Sequence, residues 1–122
     1  MSQINSYKDL IVWQKAMDLV TAVYELTSKY PKEEAYGLTS QSRRAAVSIL
    51  SNIAEGRFRS TRNDFRHFLI VAYGSAAELE TQIEIAKKLS FVNEKDTEKA
   101  QSLLVEVMKM LNTITKKLKA NT

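Results

Sequence analysis

Six arginines carry most of the chemistry this chain can offer. They are Arg43, Arg44, Arg57, Arg59, Arg62 and Arg66, and the chain has no others. The same 24-residue window holds two acids, Glu55 and Asp64, so its charge equals the +4 of the whole chain. A guanidinium presents a planar fork of N–H donors that fits phosphate oxygens, so clustered arginines point to phosphate contact more strongly than as many lysines. The lysines lie among the remaining acids and nearly cancel them.

Spacing divides the six into two groups. Arg57, Arg59, Arg62 and Arg66 flank a turn near Phe58 to Ser60 and gather at one end of a helical hairpin. Arg62 and Arg66 are i, i+4 and share a face. Arg43 and Arg44 lie roughly 20 Å back along the helix, level with Gly74 to Glu78 across the hairpin. Their plainer role is ion pairing to Glu78 or Glu80. The plainer role of the turn cluster is a solvated basic helix end. The functional reading of both groups is a phosphate-binding patch.

Other chemistry is poorly served. His67, the single histidine, stands two residues past Phe65 and points off the apolar seam. A zinc site needs several converging ligands, and neither that spacing nor a Glu-x-x-His pair occurs. Glu78 and Glu80 face different directions, and Glu55 and Asp64 lack an activating partner. There is no glycine-rich phosphate loop. Cysteine is absent, which removes disulfides and thiol chemistry. The expectation is a protein that is not an enzyme and has no cofactor or metal.

The elements that position the arginines are helices. Three glycines and one proline among 122 residues are too few for the turns of a β fold. The first helix is expected over about Tyr7 to Lys29, with Ser6 as N-cap, a stripe Leu10, Trp13, Met17, Val20 and Tyr24 widened by Ala16, Leu19, Val23 and Leu26, and Pro31 closing it. The second spans about Thr39 to Glu55, with Ala46, Ile49 and Ile53 as its apolar residues, Ala45, Leu50 and Ala54 flanking them, and Gly56 as a left-handed C-terminal residue. The third spans about Thr61 to Leu89 on the heptad seam Phe65, Leu69, Ala72, Ala76, Leu79, Ile83 and Ala86. The fourth spans about Glu94 to Lys119, with Asn93 as N-cap and Ala100, Leu104, Val107, Leu111, Ile114 and Leu118 inward. Short connections make neighbours antiparallel. The fold class is all-α, an antiparallel up-down-up-down four-helix bundle, with residues 1–122 as a single domain. The second helix also carries a small, polar stripe, Gln41, Arg44, Ser48, Ser51 and Glu55, with Asn52 beside it. Its plainer reading is tight packing through a hydrogen-bonded network, and Gly74 marks a close contact in the third helix. Apolar residues off the seams, Ile11, Val12, Ile70, Val71, Tyr73, Val105 and Met108, are either ordinary surface or a subunit interface. No signal peptide or membrane span is visible, which leads to the expectation of a cytoplasmic protein with no membrane partner.

The runs Asp9-Leu10-Ile11-Val12-Trp13-Gln14-Lys15-Ala16-Met17, Tyr36 to Ile49 (with Ser42-Arg43-Arg44-Ala45-Ala46), Asn52-Ile53-Ala54-Glu55-Gly56, Asp64-Phe65, Phe68-Leu69, Gly74-Ser75 and Glu78-Leu79-Glu80-Thr81-Gln82 resemble one family. It is the family of four-helix-bundle proteins encoded in intervening sequences of 23S ribosomal RNA genes, labelled S23 ribosomal proteins. The chain is also similar to the accessory variability proteins of diversity-generating retroelements. The likeness covers roughly residues 8 to 92. It departs at Leu50, where many members carry proline, which implies a straighter second helix. The resemblance implies a ring-shaped homopentamer, and it makes subunit contact the better account of the surplus apolar residues. The retroelement relatives bind nucleic acid through basic surfaces and partner a reverse transcriptase, a partner implied here only in a retroelement context. The expected function is a non-catalytic, oligomeric bundle that associates with structured RNA or DNA. Its nucleic-acid-binding residues are expected to be Arg57, Arg59, Arg62 and Arg66, with Arg43 and Arg44 second. The alternative is a protein-interaction scaffold with no direct contact to nucleic acid.

Overall fold

The computed structural model describes residues 6–119. A 3-10 turn at Tyr7–Asp9 leads into helix α1 (Ile11–Thr27); a second short turn at Lys32–Glu34 follows, then α2 (Leu38–Phe58), α3 (Arg62–Lys88) and α4 (Glu94–Lys119). Among the described residues there is no strand. Among the described residues no helix is long and apolar enough to cross a membrane. Each helix packs on two others, α1 on α2 and α4, and α3 on α2 and α4.

Cross-helix pairs fix the directions. Ser48 of α2 meets Ser75 of α3, and the floor under Gly56 is Phe65 and Phe68. Arg62 at the start of α3 reaches Leu118 at the end of α4, while Gln101 near the start of α4 reaches Glu84 late in α3. Lys15 pairs with Glu106, and Lys29 with Asp96. All neighbours therefore run antiparallel. The starts of α1 and α3 and the ends of α2 and α4 lie at one end of the bundle.

The seams of the last three helices form the core. Ala45, Ala46, Ile49 and Ile53 of α2 are buried, with Leu69, Ala72, Ala76, Leu79, Ile83 and Ala86 of α3 and Ala100, Leu104, Val107 and Leu111 of α4. Burying one such Leu or Ile side chain contributes about 1.5–3 kcal/mol. Helix α1 buries mainly the residues expected to widen its stripe, not the stripe itself. Its buried stripe is Val12, Ala16, Leu19, Val23 and Leu26, whereas Met17 and Tyr24 are exposed and Trp13 and Val20 are half-buried. Both stripes have helical spacing, so periodicity alone left the choice open. Val12 is core and not surplus surface. The N-terminal residues Tyr7 and Trp13 stack edge-on, with ring centroids 5.4 Å apart.

Helix ends follow local chemistry. Thr61 accepts from Asp64 N at the start of α3. Asn93 and Asp96 bond reciprocally at the start of α4, a capping box. Asp96 is held below the usual carboxylate range, first by the Asn93 amide and then by Lys29. Helix α3 ends in a Schellman motif: Phe91 N donates to Ala86 O and Ser90 N to Lys87 O. Ser90 is left-handed there, with φ 61°.

Neither Gly56 nor Gly74 has the role expected of it. Gly56 is no C-terminal residue; it is buried inside α2, which runs unbroken past Leu50 to Phe58. A Cβ at Gly56 would stand 2.8 Å from Phe68 Cβ and 3.2 Å from Phe65 Cδ1. Gly74, expected at a close contact, has nothing within 4 Å of where its Cβ would be. The contact belongs to its neighbour Ser75, whose hydroxyl lies 2.9 Å from that of Ser48. Asn52 Nδ2 donates to Ser48 O and Oγ, so the polar stripe of α2 does contribute a packed hydrogen-bonded network.

Candidate nucleic-acid interface

The α2–α3 connection is only three residues long, Arg59 to Thr61. It therefore holds the last turn of α2 against the first turn of α3 and brings Arg57, Arg59, Arg62 and Arg66 to one end. Their side chains have different work. Arg59 pairs with Glu55 at 2.9 Å and lies over the Phe68 ring, 5.0 Å from its centroid. Both members of that pair are about half exposed, and an i, i+4 pair of this kind contributes about 0.3–0.5 kcal/mol. Arg62 donates from Nε to Leu118 O and from Nη2 to Lys117 O, each at 3.0 Å. Arg66 Nε donates to Thr115 O at 3.2 Å. The last carbonyls of a helix lack intrahelical partners and carry partial negative charge. Arg62 and Arg66 thus close the C-terminal end of α4 while keeping their own charge. Arg57 is half-buried beside Ser6, Tyr7 and Phe58.

Antiparallel topology brings further cations that sequence spacing alone did not connect. Lys116, Lys117 and Lys119, in the last turn of α4, stand beside the arginine turn, because Arg62 bonds the carbonyls of that same turn. With the four arginines they outnumber the nearby carboxylates Asp9, Glu55 and Asp64. The signal was present in the run Lys116-Lys117-Leu118-Lys119 once the fourth helix was paired antiparallel with the third.

Arg43 and Arg44 stand apart, as their spacing requires, but neither pairs with Glu78 or Glu80. Arg43 Nε donates to Thr27 Oγ1 at 2.8 Å, and the guanidinium lies 4.4 Å from the Tyr24 ring centroid. Thr27 in turn donates to Val23 O at 2.8 Å. Arg43 leans toward α1, away from α3. Glu78 takes a long contact from Gln82 Nε2, and Glu80 lines the groove between α3 and α4. Arg44 is exposed and makes no hydrogen bond or ion pair among the described residues. It lines a shallow groove with Tyr24, Tyr36, Arg43 and Ser48. His67 is exposed, edge-on to Phe68 at 5.5 Å. Among the described residues no three His, Cys, Asp or Glu side chains are grouped to hold a metal ion.

The surplus apolar residues are on the surface. Ile11, Ile70, Val71, Tyr73 and Val105 are exposed, and Met108 is half-buried against the core.

Comparison with known proteins adds a family and a fold. A family profile described as "23S rRNA-intervening sequence protein" matches residues 8–113. Among solved structures, the chain is similar to a protein of unknown function from the S23 ribosomal protein family of Bacteroides thetaiotaomicron. The TM-score is 0.80 at 23% identity, covering 87% of this chain and 99% of that one. No curated protein matches.

Proposed function

The chain belongs to the 23S rRNA-intervening sequence protein family, and from that premise we propose that it is a non-catalytic, oligomeric helical bundle that associates with structured RNA or DNA through its arginine-rich surface. The observation that carries this reading is the basic end. There Arg57, Arg59, Arg62 and Arg66 meet Lys116, Lys117 and Lys119, and two of the arginines are held in place by α4's carbonyls. Cations fixed in position lose less freedom when they contact phosphates than loose side chains do. Arg43 and Arg44 form a second, smaller patch. The exposed, unpartnered state of Arg44 supports a ligand role for it better than a structural one. The exposed setting of His67 against an aromatic ring supports the non-catalytic part.

Repetition of the basic end around a homopentamer would raise the avidity of individually weak patches. A cytoplasmic setting belongs to the same proposal, and a reverse transcriptase partner belongs to it only for a gene in a retroelement. The test is a salt titration with labelled hairpin RNA. Binding should be measurable near 50 mM salt and should weaken steeply as salt rises, because phosphate contacts release counterions. No binding, or affinity indifferent to salt, would sink the proposal.

A second reading, a protein-interaction scaffold without nucleic acid, is favoured by one observation: Ile70 and Val105 are each 45% exposed. Charge reversal at Lys116, Lys117 and Arg59 separates the two. Lost RNA binding with an intact oligomer supports the first reading; unchanged RNA binding removes it.

A further inference from the structure

The outer face of α2 has the same two ingredients at both ends. At its start, Tyr36 is 100% exposed and makes no ring contact or hydrogen bond among the described residues. Beside it are the exposed Arg44 and the Arg43 guanidinium stacked on Tyr24. At its end, Phe58 is 80% exposed, tilted against Tyr7 with centroids 6.5 Å apart, and Arg59 lies next to it. Between these ends the surface is mostly small residues, with Val47 the one larger exposed apolar side chain. Ser48 lines the first groove, and Ser51 and Ala54 line the second with Phe58 and Arg59. The one carboxylate on this stretch, Glu55, is answered by Arg59. The fourteen residue steps of helix from Arg44 to Phe58 span about 21 Å.

We propose that this face is a track for an unpaired nucleic-acid strand, with bases stacking on Tyr36 and Phe58 and phosphates meeting Arg44 and Arg59. It rests on the nucleic-acid reading above and makes it specific to single-stranded segments. The physical reason is the pairing of π-faces with cations. A paired base has both faces covered by its neighbours, so an exposed ring gains nothing from a duplex. An unpaired base can stack on it. The stack of Arg43 on Tyr24 adds a second flat surface, fixed by the Thr27 hydrogen bond. Low side-chain bulk at Ser48, Ser51 and Ala54 leaves room for the strand to run along the helix. A patch serving duplex phosphates alone would need the cations and not the rings.

The test uses fluorescein-labelled oligoadenylate RNA of about 12 nucleotides, the same strand paired with oligouridylate, and a version with abasic positions, all read by anisotropy at low salt. The wild-type protein should bind the single strand more tightly than the duplex and lose affinity for the abasic strand. Tyr36→Ala and Phe58→Ala should each weaken single-strand binding by about fivefold or more and leave duplex binding unchanged. Neither ring is buried, and circular dichroism checks that the variants fold. Arg44→Gln should weaken both and flatten the salt dependence by about one phosphate contact. Equal affinity for normal and abasic strands, or unchanged single-strand binding in both ring variants, overturns the track. If duplex binding persists in that case and is abolished by Lys116→Glu with Lys117→Glu, the basic-end reading stands without it. If wild type binds neither RNA, both fall. Competition by polyglutamate as effective as by RNA, or a changed sedimentation coefficient in Tyr36→Ala, also overturns the proposal. The face would then serve an acidic protein or a second copy of the chain.

Discussion

Arg62, the first residue of α3, donates its Nε–H to the carbonyl of Leu118 in the last turn of α4 at 3.0 Å. Two helices that are adjacent in sequence are thereby tied at the end far from their own connection. The charge of the basic end and the closure of α4 are thus one structure. Arg62→Ala should lower stability by about 1–2 kcal/mol, since hydrogen bonds from charged donors and helix-dipole contacts each contribute on that scale. Arg62→Lys keeps the charge and loses the two-pronged geometry, so it should recover only part. Thermal melts compared with Arg44→Gln, expected to be near neutral, check both.

Gly56 and Gly74 should respond to alanine with opposite signs. At Gly56 the added methyl meets the root of the Phe68 side chain at 2.8 Å, which cannot swing aside. Overpacking of this kind costs about 1–3 kcal/mol, against a gain in helix propensity of about 1. At Gly74 nothing lies within 4 Å, and alanine should stabilise the monomer fold by about 0.5–1 kcal/mol. Urea denaturation of the two variants reads the signs directly. A Gly74→Ala protein that gains fold stability but sediments as a smaller species would place Gly74 in a subunit contact.

Thr27→Val keeps shape and removes the acceptor of Arg43 Nε. The expected loss is about 1–3 kcal/mol because a charged donor is left facing an apolar group. A double-mutant cycle with Arg43→Met should show coupling, since the double variant no longer carries the unsatisfied charge.

Burial pushes the Tyr30 phenol above its ordinary value of 10.0, with the nearby Ser42 hydroxyl acting in the opposite, lesser direction. The folded state thus resists ionisation that the unfolded chain accepts. The stability contribution is complete below pH 10.0 and falls as pH rises through the raised value of the folded state. Among the described residues neither the Tyr30 nor the Ser42 hydroxyl has a hydrogen-bond partner. Tyr30→Phe should therefore be neutral or stabilising near pH 7, and it should remove part of the alkaline loss of stability. Denaturant midpoints from pH 8 to 11 test this; an unchanged alkaline slope would contradict it.

Ser90 holds the left-handed position of the Schellman motif with φ 61°. A side chain there costs about 1–2 kcal/mol that glycine avoids, offset in part by glycine's greater freedom when unfolded. Ser90→Gly should raise stability by about 0.5–1 kcal/mol in the same urea assay.

The sequence carried the seams of α2, α3 and α4 and the cap Asn93, because heptad spacing and capping chemistry act over a few residues. It did not settle which stripe of α1 turns inward, because Leu10–Trp13–Met17 and Val12–Ala16–Leu19 have equally good helical spacing and only the neighbours choose. Arg43 pairs toward Thr27 and Tyr24 and not toward Glu78 because direction around a helix is set by packing, not by level along it. The arginine window was legible as a charge. That Arg62 and Arg66 spend donors on α4, and that Lys116, Lys117 and Lys119 join them, required the pairing of residues 49 to 56 positions apart.

Four helices in alternation return the described chain ends, Ser6 and Lys119, to the basic end. A fluorescent label attached through a cysteine at Ser6 or Lys119 therefore sits near Arg57 or Lys117, where it masks the contacts a binding assay is meant to read. The α3–α4 connection around Ser90 lies at the opposite pole, so a single cysteine introduced there gives a label that reports without competing.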